Sequence, residues 1–177
     1  MAASMLVFPE EYLAASYEPD REYVDGRLEE RHLGEHDHSL LQALIAAFFV
    51  ARQSEHNIRV FTGQRLLVSN DADRRRYRIP DVCAVRRPYL KEPVLTHPPL
   101  LVAEILSRDD HTTDTLTKIR EYVDFGVPHI WIVDPVQRRV FDAGGSGIRE
   151  APNGVLELSQ IGLFVDFGCF FGELDLA

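Results

Sequence analysis

Cysteine is scarce in this chain. Cys83 and Cys169 are the only two among 177 residues, and no C-x-x-C pair exists. A four-cysteine zinc site is therefore excluded, and a pair of reduced thiols suits the cytosol. Each cysteine has apolar neighbours (VCAV and GCFF), so both are expected to act as small hydrophobes, with no disulfide. Long apolar runs are missing too, since none approaches the ~20 residues that a membrane-spanning helix needs. The opening MAASMLVFPEEYL lacks a basic n-region and turns acidic after a short apolar patch, unlike a signal peptide. The expectation is a cytoplasmic protein with no membrane partner.

Positive charge is in deficit. Lys and Arg total 19 against 28 Asp and Glu, for a net charge of −9. That balance argues against a generic nucleic-acid coat protein, because phosphate binding needs local positive charge. It leaves room for an enzyme that touches DNA through a small basic patch, and the one dense cluster is Arg74, Arg75, Arg76 and Arg78. Internal repeats, low-complexity tracts and dividing linkers are absent, and 45% of residues are hydrophobic. One globular domain over residues 1–177 is expected.

The elements alternate in type. PEEYLAAS (9–16) reads as a short helix with Pro9 in its first turn. Asp25-Gly26, between two short runs, signals a tight N-terminal hairpin. HDHSLLQALIAAFFVARQS (36–54) has helical length and is apolar round most of its circumference, with Asp37 and Ser39 as start signals. Residues 58–68 and 77–87 read as strands separated by the polar turn SNDADRRR, and the four prolines of 87–99 mark a loop. LLVAEIL (100–106) and HIWIVDP (129–135) are buried strands flanking a helix over 112–125, which Thr112 or Thr113 can cap and Gly126 ends. The remainder reads as shorter strands. The sum is an α/β fold, a mixed central sheet flanked by helices.

Two carboxylates sit where carboxylates are unusual. Glu104 interrupts LLVAEIL, although glutamate is rarely buried unless it is paired or ligates a metal. Its bland reading is an exposed strand end or a structural ion pair. Asp81 follows Pro80, which pushes Ile79 toward extended geometry and lets the strand bend. Alone, a Pro-Asp pair is an ordinary turn signal. Together, the acids fall at the margins of two strands, and strands ~4.8 Å apart would let them share one divalent cation. Hard oxygen ligands favour Mg²⁺ or Mn²⁺, which can polarise a phosphoryl group and acidify bound water. Lys118 would supply an ammonium to orient the attacking water or stabilise the phosphorane. Against that, Leu116, Ile119 and Val123 form the predicted apolar stripe, and Lys118 lies well round from it, where a solvated lysine would sit.

The ordered set EYVDGRLEE, a histidine before a long helix, IPDVCAV, PPLLVAEILS, D-x-x-x-K-x-x-x-Y and GVPHIWIVDP resembles the Uma family of the PD-(D/E)XK restriction-endonuclease-like superfamily. The resemblance runs from about Glu22 to Pro135, with a weaker echo at FGCFFGELDL. It implies a restriction-endonuclease-like fold, divalent-metal catalysis with Mg²⁺ (Mn²⁺ as substitute), DNA as substrate and a symmetric homodimer. The tail LFVDFGCFF is either a subunit interface or core. Asp81 matches the Asp of the PD motif and Glu104 the acid of the (D/E)XK element. Position 106, where the lysine should fall, is Leu106, and Lys118 on the following helix matches a relocated lysine. Glu22 and His38 are extra metal contacts or water-positioning groups on this reading, and otherwise an exposed strand acid and a capping or satisfied histidine.

Three functions compete on the sequence. In the first, Asp81 and Glu104 hold Mg²⁺, Lys118 polarises, and Arg74, Arg75 and Arg76 contact the DNA backbone. Their plainer reading is a solvated turn offset by Asp71 and Asp73. The second is a catalytically silent nuclease-like module that binds DNA or a protein, favoured by the acidic balance and by Leu106. The third is a zinc hydrolase using His32, His36 and His38. It suffers from a two-residue spacing that points helical side chains apart, and from the lack of any H-E-x-x-H.

Overall fold

The computed structural model describes residues 6–31, 35–71, 74–108 and 110–176. Helix α1 (Pro9–Ala14) leads into strands β1 (Arg21–Val24) and β2 (Arg27–Glu30). Asp25 and Gly26 join the two strands with φ of 49° and 90°, both left-handed as a tight two-residue hairpin requires. Helix α2 (His36–Arg52) follows, then β3 (Ile58–Phe61), β4 (Leu66–Asp71), β5 (Arg74–Arg78), β6 (Val82–Arg86) and β7 (Leu101–Ile105). Helix α3 (Thr112–Phe125) ends at Gly126, whose φ of 93° closes the helix through bonds back to Tyr122 and Val123. Strands β8 (His129–Asp134), β9 (Arg139–Gly144), β10 (Gly147–Glu150), β11 (Val155–Leu158) and β12 (Leu163–Asp166) precede α4 (Phe167–Glu173).

The strands form a six-stranded mixed sheet ordered β10-β9-β8-β7-β6-β3, a four-stranded antiparallel sheet ordered β2-β1-β5-β4, and the β11-β12 hairpin. In the large sheet β7 and β8 are parallel, as the α3 crossover between them demands. Both faces of that sheet are covered, which explains why β7, Glu104 apart, and the middle of β8 read as apolar runs. Leu101, Ala103 and Ile105 point one way, to Leu41, Ile45 and Phe49 of α2 and the aromatics of α4. Val102, Ile130 and Ile132 point the other way, to Ile119 and Tyr122 of α3 and to Leu66 and Val68 of β4. Under α1, the rings of Tyr12, Tyr23 and Tyr77 cluster with centroids 5.4–5.7 Å apart. No described helix is long and apolar enough to cross a membrane.

Several details depart from the sequence expectations. Each of the two predicted long strands is cut in half, and its halves belong to different sheets. Gly63, at φ 67°, breaks the first; the second is broken at Pro80, which has no N–H to continue a ladder. The arginines at 74–76 are strand residues rather than a polar turn. Helix α3 begins after His111 with no side-chain cap, so neither threonine caps it. Its buried residues are Ile119, Glu121 and Tyr122, whereas Leu116 is 48% exposed, so the apolar stripe is rotated from the predicted one. FGCFFGE is helical, capped by the Asp166 carboxylate accepting from the Gly168 N–H. The tail is largely core: Leu163, Val165, Phe167, Phe170 and Phe171 are buried, while Phe164 is exposed. Cys83 is buried as expected, but Cys169 is exposed, because α4 turns it away from the phenylalanines.

Candidate active site

Register brings the two unusual acids together. Val82 of β6 faces Ala103 of β7, so one step further along the antiparallel pair sets Asp81 beside Glu104. Asp81 is only 2% exposed, and its Oδ2 accepts the Ile105 N–H at 2.8 Å. The carboxylate thus sits on the end of the neighbouring strand and is held by it. His38 Nε2 lies 3.3 Å from the same oxygen, and the Arg31 guanidinium donates to Oδ1 at 2.5 Å. Gln42 of α2 donates to the Asp81 carbonyl, fixing the backbone as well. Burial alone would raise this acid, but the His38 bond, the His38 and Arg31 charges and the Ile105 N–H together hold it below the usual carboxylate range.

Glu104 has a different balance. It follows Val102 on the α3-facing side of β7, and the Tyr122 hydroxyl donates to its Oε1 at 2.6 Å. Burial is the largest influence and pushes its carboxyl up to about 7, with Asp81 and Glu22 adding to the rise and Lys118 and Tyr122 opposing it. The two carboxylates therefore differ: Asp81 stays ionised, while Glu104 is short of positive charge near neutral pH.

Lys118 stands one turn before Tyr122 on α3 and reaches the same cleft, a cavity of about 490 Å³. Its Nζ is 3.1 Å from Glu22 Oε2. Glu22, on β1, is 2% exposed; it also takes a bond from Arg78 at 2.8 Å and one from the Ile79 N–H at 2.9 Å. Arg78 in turn donates to Glu121 at 2.6 Å and to Glu29 at 2.9 Å. A buried chain of charge runs from Glu121 through Arg78 and Glu22 to Lys118. Burial opposes charging Lys118, yet the carboxylates of Glu104 and Glu22 raise it above its ordinary value, so it stays an ammonium.

Asp81, Glu104, Lys118, Glu22 and His38 thus line one cleft, as does Arg76. The other two predicted DNA contacts do not. Strand alternation turns Arg75 to the opposite face, 3.6 Å from Glu10, and Arg74 is exposed at the far end of β5. Arg76 is itself held by Asp25 and Glu121. The histidines divide as well: His38 faces Asp81, His36 is exposed beside Asp37, and His32, like Asp73, lies outside the described residues.

A model of the Uma2 family, described as "Putative restriction endonuclease", matches residues 9–142. The chain belongs to the Uma2 family. A crystal structure described as that of "a putative nuclease belonging to DUF820", from Anabaena variabilis, is similar to this Uma2 protein with a TM-score of 0.76. The two share 20% identity over 93% of this chain and 97% of that one, which shows that they share one fold, the mixed α/β arrangement described above. No curated protein matches the chain. The family match runs from α1 into β9 and includes every cleft residue named above, leaving out the C-terminal hairpin and α4, which supply core.

Two residues of the Uma2 site went unassigned on the sequence. Tyr122 stood in the D-x-x-x-K-x-x-x-Y string without a role, yet its position four residues after Lys118 places both on one helical face. Arg31 carried no local signal, since its partner Asp81 is fifty residues away. The family implies a divalent cation, and the donor set fits one: two carboxylates in register, one of them lacking compensating charge. Among the described residues no group of three His, Cys, Asp or Glu side chains is set to hold a metal unaided. Such an ion would complete its shell with water and substrate oxygens, as Mg²⁺ commonly does.

Proposed function

We propose that this Uma2 protein is a cytoplasmic, Mg²⁺-dependent endonuclease that hydrolyses DNA phosphodiester bonds, with Mn²⁺ able to substitute. On this reading residues 1–177 form one restriction-endonuclease-like domain and act as a symmetric homodimer, one cleft for each strand. The observation that carries it is the juxtaposition of Asp81, just before β6, with Glu104 of the neighbouring β7, and of Lys118 in the same cleft. Asp81 and Glu104 would hold the cation. When bound, it would polarise the phosphoryl group and lower the pKa of a coordinated water. Lys118 orients the attacking water and offsets charge on the phosphate, with Glu22 fixing its ammonium. Tyr122 aims the Glu104 carboxylate, and His38 with the Ile105 N–H aims that of Asp81. Of the arginines at 74–76, Arg76 is the one in the cleft, while Arg74 at the exposed strand end is free to meet the backbone outside it.

A second reading, the silent module, has its own support: Asp81 is already engaged by Arg31 and His38, and Asp110 and Asp114 add negative charge to the cleft. Plasmid cleavage in Mg²⁺ separates the two. Asp81→Ala, Glu104→Ala and Lys118→Ala are each expected to abolish nicking while keeping the circular dichroism of the parent. Full activity in the Lys118 variant would reduce that lysine to a structural charge. A wild type that neither binds Mn²⁺ by calorimetry nor cuts would favour the module.

A further inference from the structure

We propose that Arg31 is the phosphate-binding cation of the cleft, parked on Asp81 until a divalent cation takes that carboxylate and releases the guanidinium to a phosphodiester oxygen. The inference rests on the metal-dependent nuclease reading above and adds to it a residue that contacts substrate.

The other arginines of the cleft and its lysine are committed elsewhere, while His38 shares Asp81 through the opposite oxygen. Arg78 is clamped by Glu22, Glu29 and Glu121, and Arg76 by Asp25 and Glu121. Lys118 is held by Glu22. Among the described residues, the one ion pair that Arg31 makes is with Asp81. That partner is the carboxylate on which the cation would sit. A divalent ion and a guanidinium at the same carboxylate are like charges a few ångströms apart, and their repulsion is stronger in a half-enclosed cleft than in water. Arrival of one expels the other.

Arg31 is built to move without unravelling its strand. Its main-chain N–H donates to the Asp20 carbonyl at 3.2 Å, anchoring the backbone just beyond the last residue of β2. Its side chain keeps 21% of its surface exposed, so a released guanidinium stays solvated. Once free, its planar fork matches two oxygens of a phosphate, which a compact ammonium cannot do. Before a cation arrives, Asp81, with Glu104 and Glu22 behind it, holds the guanidinium at the cleft.

Two titrations on the full-length chain test the exchange: Mn²⁺ alone by calorimetry, and a short DNA duplex in Ca²⁺ by fluorescence anisotropy. Arg31→Gln is expected to bind Mn²⁺ about tenfold more tightly and the duplex about tenfold more weakly, the weight of one charge-assisted contact. Arg31→Met, which keeps the aliphatic stem, should move both constants in the same directions and serves if the glutamine variant fails to fold. Opposite movements support the exchange. Parallel weakening of both ligands would mark a purely structural arginine, and unchanged constants an idle one; either overturns the proposal. If wild type takes up no Mn²⁺, the metal reading itself falls and this inference with it.

Discussion

Replacing Glu104 with glutamine should make the protein more stable at pH 8. In the fold this acid keeps its proton up to about 7, against an ordinary value near 4.5, because it is buried and lies near Asp81 and Glu22. Between those two values the unfolded chain has released the proton and the folded chain has not, so stability falls as pH rises and levels off above about 7. At about 1.4 kcal/mol per pH unit the loss amounts to about 3 kcal/mol. Glutamine keeps the shape and can still accept the Tyr122 bond, but it carries no charge to bury. For a chain of this size ~3 kcal/mol corresponds to a rise in Tm on the order of 6–12 °C. Thermal melts in chelator at pH 5 and pH 8 are the assay: the variant should exceed wild type at pH 8, with the gap closing toward pH 5. Adding Mn²⁺ at pH 8 should raise the wild type and leave the variant unmoved. A glutamine variant no more stable than wild type at pH 8 would refute the idea that Glu104 is a charge waiting for a counter-ion.

Glu22→Gln should lose about 3–5 kcal/mol at pH 7, because it leaves Arg78 and Lys118 short of a buried carboxylate. Burial opposes ionising Glu22, but Lys118, Arg78 and the Ile79 N–H hold it below 4.5, so its contribution is present above that pH and lost as pH falls through its lower folded value; urea melts should show the variant's deficit shrinking in acid. Tyr122→Phe keeps the ring packing and removes the donor to Glu104, so a loss of about 1.5–3 kcal/mol in denaturant titrations and weaker Mn²⁺ binding are expected together. Thiol labelling of the native protein should modify Cys169 at once and Cys83 only on unfolding, since burial lifts the Cys83 thiol to about 12; two fast thiols would contradict the packing of β6.

Much of the architecture was legible because local chemistry and tertiary context agree. Asp25-Gly26 specified its hairpin, Gly126 ended α3, and the apolar runs of β7 and β8 announced a sheet covered on both faces. The stripe on α3 misled because its inner face is partly ionic: Glu121 and Lys118 are drawn inward by arginine and glutamate from β5 and β1. Hydrophobicity alone cannot reveal such a face, since the partners arrive from distant sequence. The split of residues 77–87 between two sheets was half visible in Pro80, which signals a bend without saying that the strand changes neighbours. The exposed Cys169 and the helical FGCFFGE were readable in principle, because Phe167, Phe170 and Phe171 recur with helical spacing that a strand would not use.

The three residues between β5 and β6 have no slack. Ile79, Pro80 and Asp81 carry the chain from one sheet to the other, and the side chains of β6 alternate between two separate cores. One added residue there would have to be absorbed somewhere: passed forward, it would swap which of Cys83 and Ala84 meets α2; looped out locally, it would lift Asp81 off the Ile105 amide. The cleft's chemistry is thus tied to a spacer length as tightly as to any side chain.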